Sequence, residues 1–475
     1  MSLNNFWSKV KAKQYIDTNE EFKNTNMDLH MHSTGSDGLD TPLKLLVRAY
    51  NRGIRTISIT DHNKVKGYRI LEENIKEVIS KLEEKDSKTN GAEKLLNILN
   101  EMYILPGCEL VTTYKGCPYV EILGYGVDIN ILEEEITKMN STLRNPGDVI
   151  CEGARRIKEE NDLDFDLFSI ENRSDYKKLF FHELTKHPEN EYLYKDIEGE
   201  TEEEKAENFA KKYIDNPESD FYVDLNNQST RKKDMQKMIE EHQDLVFDIE
   251  IIKQAGAAAG QLYNELLKDP KSKALLEGKI KDQKQFNYMG LYNEKSPFFI
   301  DLTSAKPPIE EVVGIIKKAG GIAIVAHWGR YIRSNPEFFD WKTEEGLQNL
   351  HEIIQMCDGA ECDYPDNPPE LQEIIYNYCK ENGKYISQGS DHHSIDGKEG
   401  AQYKIGVANG LELEENAFVR NMRIPVNELV KECLLDRLKE LSDEKKQKRE
   451  TLRNLEKTVE QEAEKNKGKE DEGKI

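Results

Sequence analysis

Six of the ten histidines in this chain fall in four short segments, and each segment stands at or just beyond the end of a short apolar run of β type. The segments are Asp28-Leu29-His30-Met31-His32, Thr60-Asp61-His62, Val325-Ala326-His327-Trp328 and Gly389-Ser390-Asp391-His392-His393. The β-type runs are 27–31, 56–60, 103–105, 119–124, 322–326, 359–362 and 385–388, with helical patterns between several of them. Thr41 can cap a helix that starts at Pro42 and stops at Gly53. A second helix runs from Glu310 to Gly320-Gly321, and a third from Pro369 to a stop near Gly383. Strands alternating with helices imply parallel pairing. A closed βα-barrel brings all its strand ends to one mouth, whereas an open wound sheet does not, so the expected fold is a closed or nearly closed barrel with the histidines at that mouth.

The alternation fails between 146 and 296, which is acidic, Lys/Glu-rich and helical in pattern, with loops expected at 199–208 and 215–227. It reads as a helical insertion or cap that splits the barrel into 1–145 and 297–425 and roofs its mouth. The last stretch, 426–475, reads as a charged helical tail that frays into disorder, available for self-association or a protein partner.

Bulk composition narrows the class. No stretch approaches the roughly 18–20 apolar residues of a membrane span, and residues 1–13 lack the apolar run of a signal peptide, so a cytoplasmic protein is expected. Seven scattered cysteines with no C-x-x-C pair argue against disulfides and against a zinc ribbon. A formal net charge of −23 disfavours tight binding to long duplex nucleic acid. A small phosphorylated substrate or the end of a short oligonucleotide stays compatible where metal ions supply local positive charge.

The histidine segments themselves suit metals. His30-x-His32 on a strand puts both rings on one face, and Asp37 follows within one loop. His62 closes an apolar strand; the adjacent Asp61 either orients its imidazole or caps a helix. Glu109 follows Ile104–Leu105 and can bridge two metals as an imidazole cannot. His327 ends another apolar run, and Arg330, three residues on, suits two-pronged contact with phosphate. Asp391 and His393 complete the set with D-x-H spacing, which turns His392 elsewhere. Histidine with carboxylate is a ligand set for manganese, iron or zinc.

Taken in order, D-L-H-M-H-S-T-G-S-D-G, T-P-x-x-L-V-R-A, I-T-D-H, L-P-G-C-E, A-G-G-I-A-I-V-A-H-W-G-R-Y and G-S-D-H-H resemble the PHP (polymerase and histidinol phosphatase) phosphoesterase family over 27–145 and 297–410. Within it the chain is most similar to stand-alone enzymes that act on the 5′ phosphates of nucleotides or short oligonucleotides. The resemblance implies a distorted (βα)7 TIM-like barrel with three divalent metals. His30, His32, Glu109 and Asp391 would hold the first, Glu109 and His327 the second, and Asp37, His62 and His393 the third. Two positions depart from the family: Glu121 stands where a histidine is common, and Trp328 where proline is usual. Glu121 can still ligate the second metal, as a harder oxygen donor.

The expected activity is metal-dependent hydrolysis of a phosphomonoester or terminal phosphodiester by metal-activated water, with Arg330 and Asp61 as the residues assisting at the site. A histidinol-phosphate-type phosphatase is one alternative. A non-catalytic nucleotide- or partner-binding barrel is another.

Overall fold

A computed structural model of the chain describes residues 27–84, 91–115, 117–226, 230–393, 405–406 and 417–472. Contacts divide it into two compact units: one drawn from Met1–Thr112, Val120–Ser141 and Ile309–Ile475, the other from Thr113–Tyr119 and Thr142–Pro308.

The first unit is α/β. Its strands are β1 (Met27–Asp28), β2 (Thr56–Ile57), β3 (Tyr103–Ile104), β4 (Gly107–Tyr114), β5 (Cys117–Tyr125), β6 (Ile322–Val325), β7 (Gly359–Asp363), β8 (Tyr385–Gln388) and β9 (Ile424–Pro425). They lie in two sheets, ordered β1-β2-β3-β9 and β4-β5-β6-β7-β8. Pairing is parallel for β1–β2, β2–β3, β6–β7 and β7–β8, as the alternation with helices requires. It is antiparallel for β5–β6 and β3–β9, contrary to a purely parallel expectation. The cause of the first reversal is local: only residues 115 and 116 separate β4 from β5, and Lys115 has a φ of 45°. So short a link joins antiparallel neighbours, since a parallel crossover needs a dozen residues or more.

Strand β4 was not expected as a separate element, because Pro106 has no N–H to give a ladder and interrupts what reads as one run from Tyr103. Glu109 therefore lies within a strand rather than after one. Gly107 opens that strand where a Cβ would stand 2.5 Å from Ser58 Oγ and 2.8 Å from the Gly124 carbonyl, so no larger residue fits without movement. All eight residues of β4 and all four of β6 are buried, the pattern of strands covered on both faces. Short pairings continue the strands beyond their regular ends: Met31 pairs with His392 and His62 with Glu109, both in parallel. Around them Leu29 N–H donates to Gln388 O (3.2 Å) and His32 N–H to His392 O (2.9 Å).

Helices follow the local signals. Thr41 caps Pro42–Asn51 by accepting from Lys44 N–H, and Gly53, at φ 81°, ends that segment. The apolar faces of Pro42–Asn51, Lys66–Glu84 and Gly91–Glu101 make one core with Ile57, Ile59 and Ile104. The tail corrects an expectation. It forms a helix, Glu432–Glu472, whose first turns pack: Leu438 and Leu441 are buried in that same core, Arg437 pairs with Glu83 (2.6 Å) and Lys431 with Glu72 (2.8 Å). Further on, Leu452 and Leu455 are 47% and 56% exposed. Leu438→Ala should therefore cost about 2–5 kcal/mol in urea unfolding, whereas Leu455→Ala should stay within about 0.5 kcal/mol. Equal midpoints for the two variants would mean that the helix does not pack in solution.

The second unit is helical around two apolar cores. One gathers Ile157, Phe286 and Phe298 with the helices Pro146–Glu160 and Ala258–Lys268; the other gathers Phe180, Phe209 and Met235 with Tyr176–Thr185 and Arg231–Glu241. The loop expected at 199–208 is instead mostly the helix Glu202–Phe209. Thr201 caps it by accepting from Glu204 N–H, and Glu202, Glu203 and Glu204 place negative charge on its first turn, a start signal hidden in a merely acidic run. Among the described residues no helix is long and apolar enough to cross a membrane, and none of the seven cysteines is in a disulfide.

Candidate metal centre

Alternation along the strands decides which side chains converge. His30 and His32, two residues apart beyond β1, face the same way, and Asp28 at the end of β1 accepts from Ser390 N–H and Oγ (3.0 and 2.6 Å). At the centre is Glu109. Its Oε1 lies 2.9 Å from His327 Nε2 and 3.3 Å from His30 Nε2; its Oε2 lies 3.1 Å from His62 Nδ1 and 3.3 Å from His32 Nε2. Asp391 Oδ1 stands 3.1 Å from His32 Nε2 and 3.6 Å from His30 Nε2. Asp37 Oδ2 lies 3.7 Å from His62 Nε2 and 3.4 Å from His393 Nε2.

Four overlapping groups each have ligand atoms mutually within 4.8 Å: His32, Asp37, His62 and His393; His30, His32 and Asp391; His30, Glu109 and His327; His62, Glu109 and Glu121. These are all nine of the side chains expected to hold metal. Glu121, where the chain departs from its apparent relatives, points inward, with Oε2 3.2 Å from His327 Nε2 and Oε1 3.8 Å from His62 Nδ1. His30 Nε2, both nitrogens of His32, His62 Nδ1, Glu109 Oε2 and Asp391 Oδ1 are buried without a hydrogen-bond partner. They approach one another at contact distance without hydrogen-bond alignment. Buried donor atoms are rarely left this way, and divalent cations would satisfy all of them together. The residues present therefore fit metal ions.

Electrostatics follow from the packing. Burial of His32 works against its charge, but the carboxylates of Asp391 and Glu109 outweigh it and push its pKa up to about 9; His30 is likewise raised, against burial, by Glu109, Glu361 and Asp391. Glu109 and Asp391 are held well below the usual carboxylate range: burial opposes this, and the surrounding histidines overcome it. A histidine raised above its ordinary 6.5 stabilises the metal-free fold fully below that pH and gives the stability up as pH climbs towards 9. Metal must displace these protons. Apparent manganese affinity of the metal-free protein should thus rise from pH 6.5 to 9, with proton release on binding, while its metal-free thermal stability falls over the same window. An affinity flat across that range would show that His32 carries no proton there.

Backbone strain gathers here too. His327 and Asp391 hold φ values of 24° and 53°, a region that non-glycine residues seldom occupy. Exposure grades across the cluster: His30, His32, Glu109 and His327 are fully enclosed, whereas the Asp37 side chain is 56% exposed, His393 31% and His62 21%. The open side is where a substrate would meet the centre. Arg330 sits on Asp391, Nη1 to Oδ2 at 2.7 Å, and Tyr364 Oη lies 3.4 Å from the same oxygen.

Asp61 is placed differently from either role expected of it. Adjacent residues in an extended segment face opposite ways, so where His62 enters the cluster Asp61 leaves it. Its Oδ1 accepts from Ser33 N–H (2.7 Å) and Ser36 Oγ (2.8 Å), and its Oδ2 from Ser33 Oγ (2.7 Å). Asp61 shapes the loop that carries Asp37 and does not contact His62 or cap a helix. His392 turns away as expected, its Nε2 3.5 Å from Asp40 Oδ2. Sequence reading missed Glu361 on β7, which is buried against His30 Nδ1 at 3.1 Å. A glutamate inside the otherwise uncharged β-type run Gly359-Ala360-Glu361-Cys362 is the signal that could have found it.

No family model matches the chain. A 51-residue segment is 43% identical to a 5′-3′ exoribonuclease of Haemophilus influenzae, covering 11% of this chain and 19% of that relative's length. Among solved structures, an amidohydrolase from Chromobacterium violaceum is 17% identical, with 85% of this chain and 98% of that one covered at a TM-score of 0.40. A protein from Bifidobacterium adolescentis described as a candidate metal-dependent phosphoesterase is 18% identical, with 83% and 96% covered at 0.38. Superpositions that loose add nothing to the ligand geometry. The chain spans about a fifth of the length of the curated relative it matches.

Proposed function

We propose that this protein is a metal-dependent phosphoesterase that removes a terminal phosphate, or hydrolyses a terminal phosphodiester, from a nucleotide or short oligonucleotide. The observation that carries the reading is the convergence of nine histidine and carboxylate side chains with Glu109 at their centre, and with buried donor atoms left unsatisfied. The segment shared with an exoribonuclease supports the nucleotide branch. Met31–His392 and His62–Glu109 pairings support a further part of the proposal, that the two sheets join into one distorted barrel whose mouth holds the site.

His30, His32, Glu109 and Asp391 would hold one ion, Glu109, His327 and Glu121 a second, and Asp37, His62 and His393 a third; manganese, iron and zinc all suit these donors. Ions bound there would polarise phosphoryl oxygens and acidify water at neutral pH. The chain's own groups do the rest. Arg330, aimed by Asp391, presents a guanidinium to the phosphoryl oxygens on the exposed side, and Asp391 in turn keeps it from collapsing into solvent. Asp61 holds the Ser33–Ser36 loop so that Asp37 faces His62 and His393. Two carboxylates, Glu109 and Asp391, keep the central imidazoles oriented, so little reorganisation is left for the reaction itself.

The test is phosphate release from nucleoside monophosphates, bisphosphonucleotides and 5′-phosphorylated oligomers, with the protein metal-loaded and after complete metal removal. Release should occur only with metal and be lost in His62→Ala. A protein that binds no divalent ion, or that releases phosphate as well without one, would overturn the reading.

A further inference from the structure

We propose that Glu361 is a positioning residue that sets the tautomer of His30 and the backbone of His327 together, and so governs affinity for the two ions those histidines would hold while leaving the Asp37–His62–His393 group untouched. This inference rests on the metal-binding reading above. Glu361 is the third residue of β7 and 1% exposed. Its Oε1 and Oε2 lie 3.1 and 3.4 Å from His30 Nδ1, and its Oε2 also accepts from His327 N–H at 2.9 Å.

An ionised carboxylate only accepts, so the neutral ring of His30 keeps its proton on Nδ1 and turns the lone pair of Nε2 outward, the form a metal ion would need. That Nε2 faces Glu109 Oε1 at 3.3 Å and has no hydrogen-bond partner. The second contact of Glu361 holds His327 in its uncommon φ of 24°, the conformation that brings His327 Nε2 to Glu109. One side chain thus grips two ligands of the same group from behind. Room for it comes from Gly389, where a Cβ would fall 2.2 Å from His30 Cβ and 2.8 Å from Glu361 Oε1. His32 has no such anchor: its Nδ1 faces Asp37 at 3.7 Å and its Nε2 faces Asp391 and Glu109, all groups of the cluster itself.

Stepwise zinc titration of the metal-free full-length protein, by competition with a chromophoric chelator, tests this. In Glu361→Gln the steps that belong to the His30 and His327 ions should weaken by about 10–100-fold, the usual effect of losing a ligand's supporting partner, while the remaining step and the metal-free melting temperature hold. A glutamine leaves one neutral, weaker acceptor oxygen to serve two N–H donors. His30→Ala should abolish the step of the His30 ion, and at that step the double variant should lose no more than His30→Ala alone. If wild type binds no zinc, the functional reading fails. If wild type binds zinc and Glu361→Gln binds it identically at every step, or if the two losses add, the inference about Glu361 is wrong. Should Glu361→Gln not fold, Glu361→Asp is read in the same way, since it keeps a carboxylate but is one methylene too short to span both donors.

Discussion

Glu109→Gln should empty the metal centre and lower phosphate release by more than about 100-fold, the upper end of what losing a merely supporting residue costs. The expectation follows from how many partners share this one carboxylate. Each oxygen of Glu109 faces two histidines, His327 and His30 on one side, His62 and His32 on the other, all within 3.3 Å. An amide offers one weak acceptor and turns an NH2 group towards two imidazoles, so two of the overlapping ligand groups lose a donor at once. The fold should survive, because the backbone of β4 at this position is held independently: Asn63 N–H donates to Glu109 O at 2.8 Å, and Glu109 N–H to Asp61 O at 3.3 Å. Elemental analysis beside a phosphate-release assay checks it. Wild-type metal content in the variant would remove Glu109 from the centre.

That Glu109 mattered could be read from the sequence only through its neighbours. Taken alone it is one of 90 acidic residues, and the motif L-P-G-C-E acquires meaning beside D-L-H-M-H and I-T-D-H. Histidines were legible because they are few and because period-two alternation says which of them share a face. His30 with His32, and Asp391 with His393 but not His392, follow from that rule alone. Asp61 was misread although the same rule applies to it: its side chain leaves the face of His62 and accepts from Ser33 and Ser36. Glu361 left only a weak signal, a carboxylate inside a β-type run, since its role depends on a contact with a residue 331 positions away. The packing of the terminal helix failed to show for a related reason. Leu434, Leu438 and Leu441 had the right spacing, but the surface they cover, on Lys66–Glu84 and Gly91–Glu101, lies far off in the chain, and the dense charge around them suggested solvent. β4 was obscured by one residue, Pro106, which splits a single apolar run into two strands with different partners.

Asp391→Asn should likewise abolish activity while leaving thermal stability nearly unchanged, and the choice of asparagine is what makes the test clean. Asp391 sits at φ 53°, where asparagine is tolerated but alanine costs about 1–2 kcal/mol, so the two substitutions separate charge from backbone. Asparagine keeps the side-chain shape and removes only the negative charge. That charge has two duties. Oδ1 stands 3.1 Å from His32 Nε2, and Oδ2 holds Arg330 Nη1 at 2.7 Å. Arg330 is raised in pKa because Asp391, with Glu121 adding, outweighs the cost of burying it; losing the anion frees the guanidinium from its place beside the centre as well as weakening the metal ligands. Phosphate release should fall by more than about 100-fold in both Asp391→Asn and Asp391→Ala. Only the alanine variant should melt appreciably lower. An asparagine variant that keeps wild-type turnover would show that the carboxylate neither holds metal nor aims Arg330. An alanine variant that melts at the wild-type temperature would show that the left-handed backbone at Asp391 costs alanine no more than aspartate.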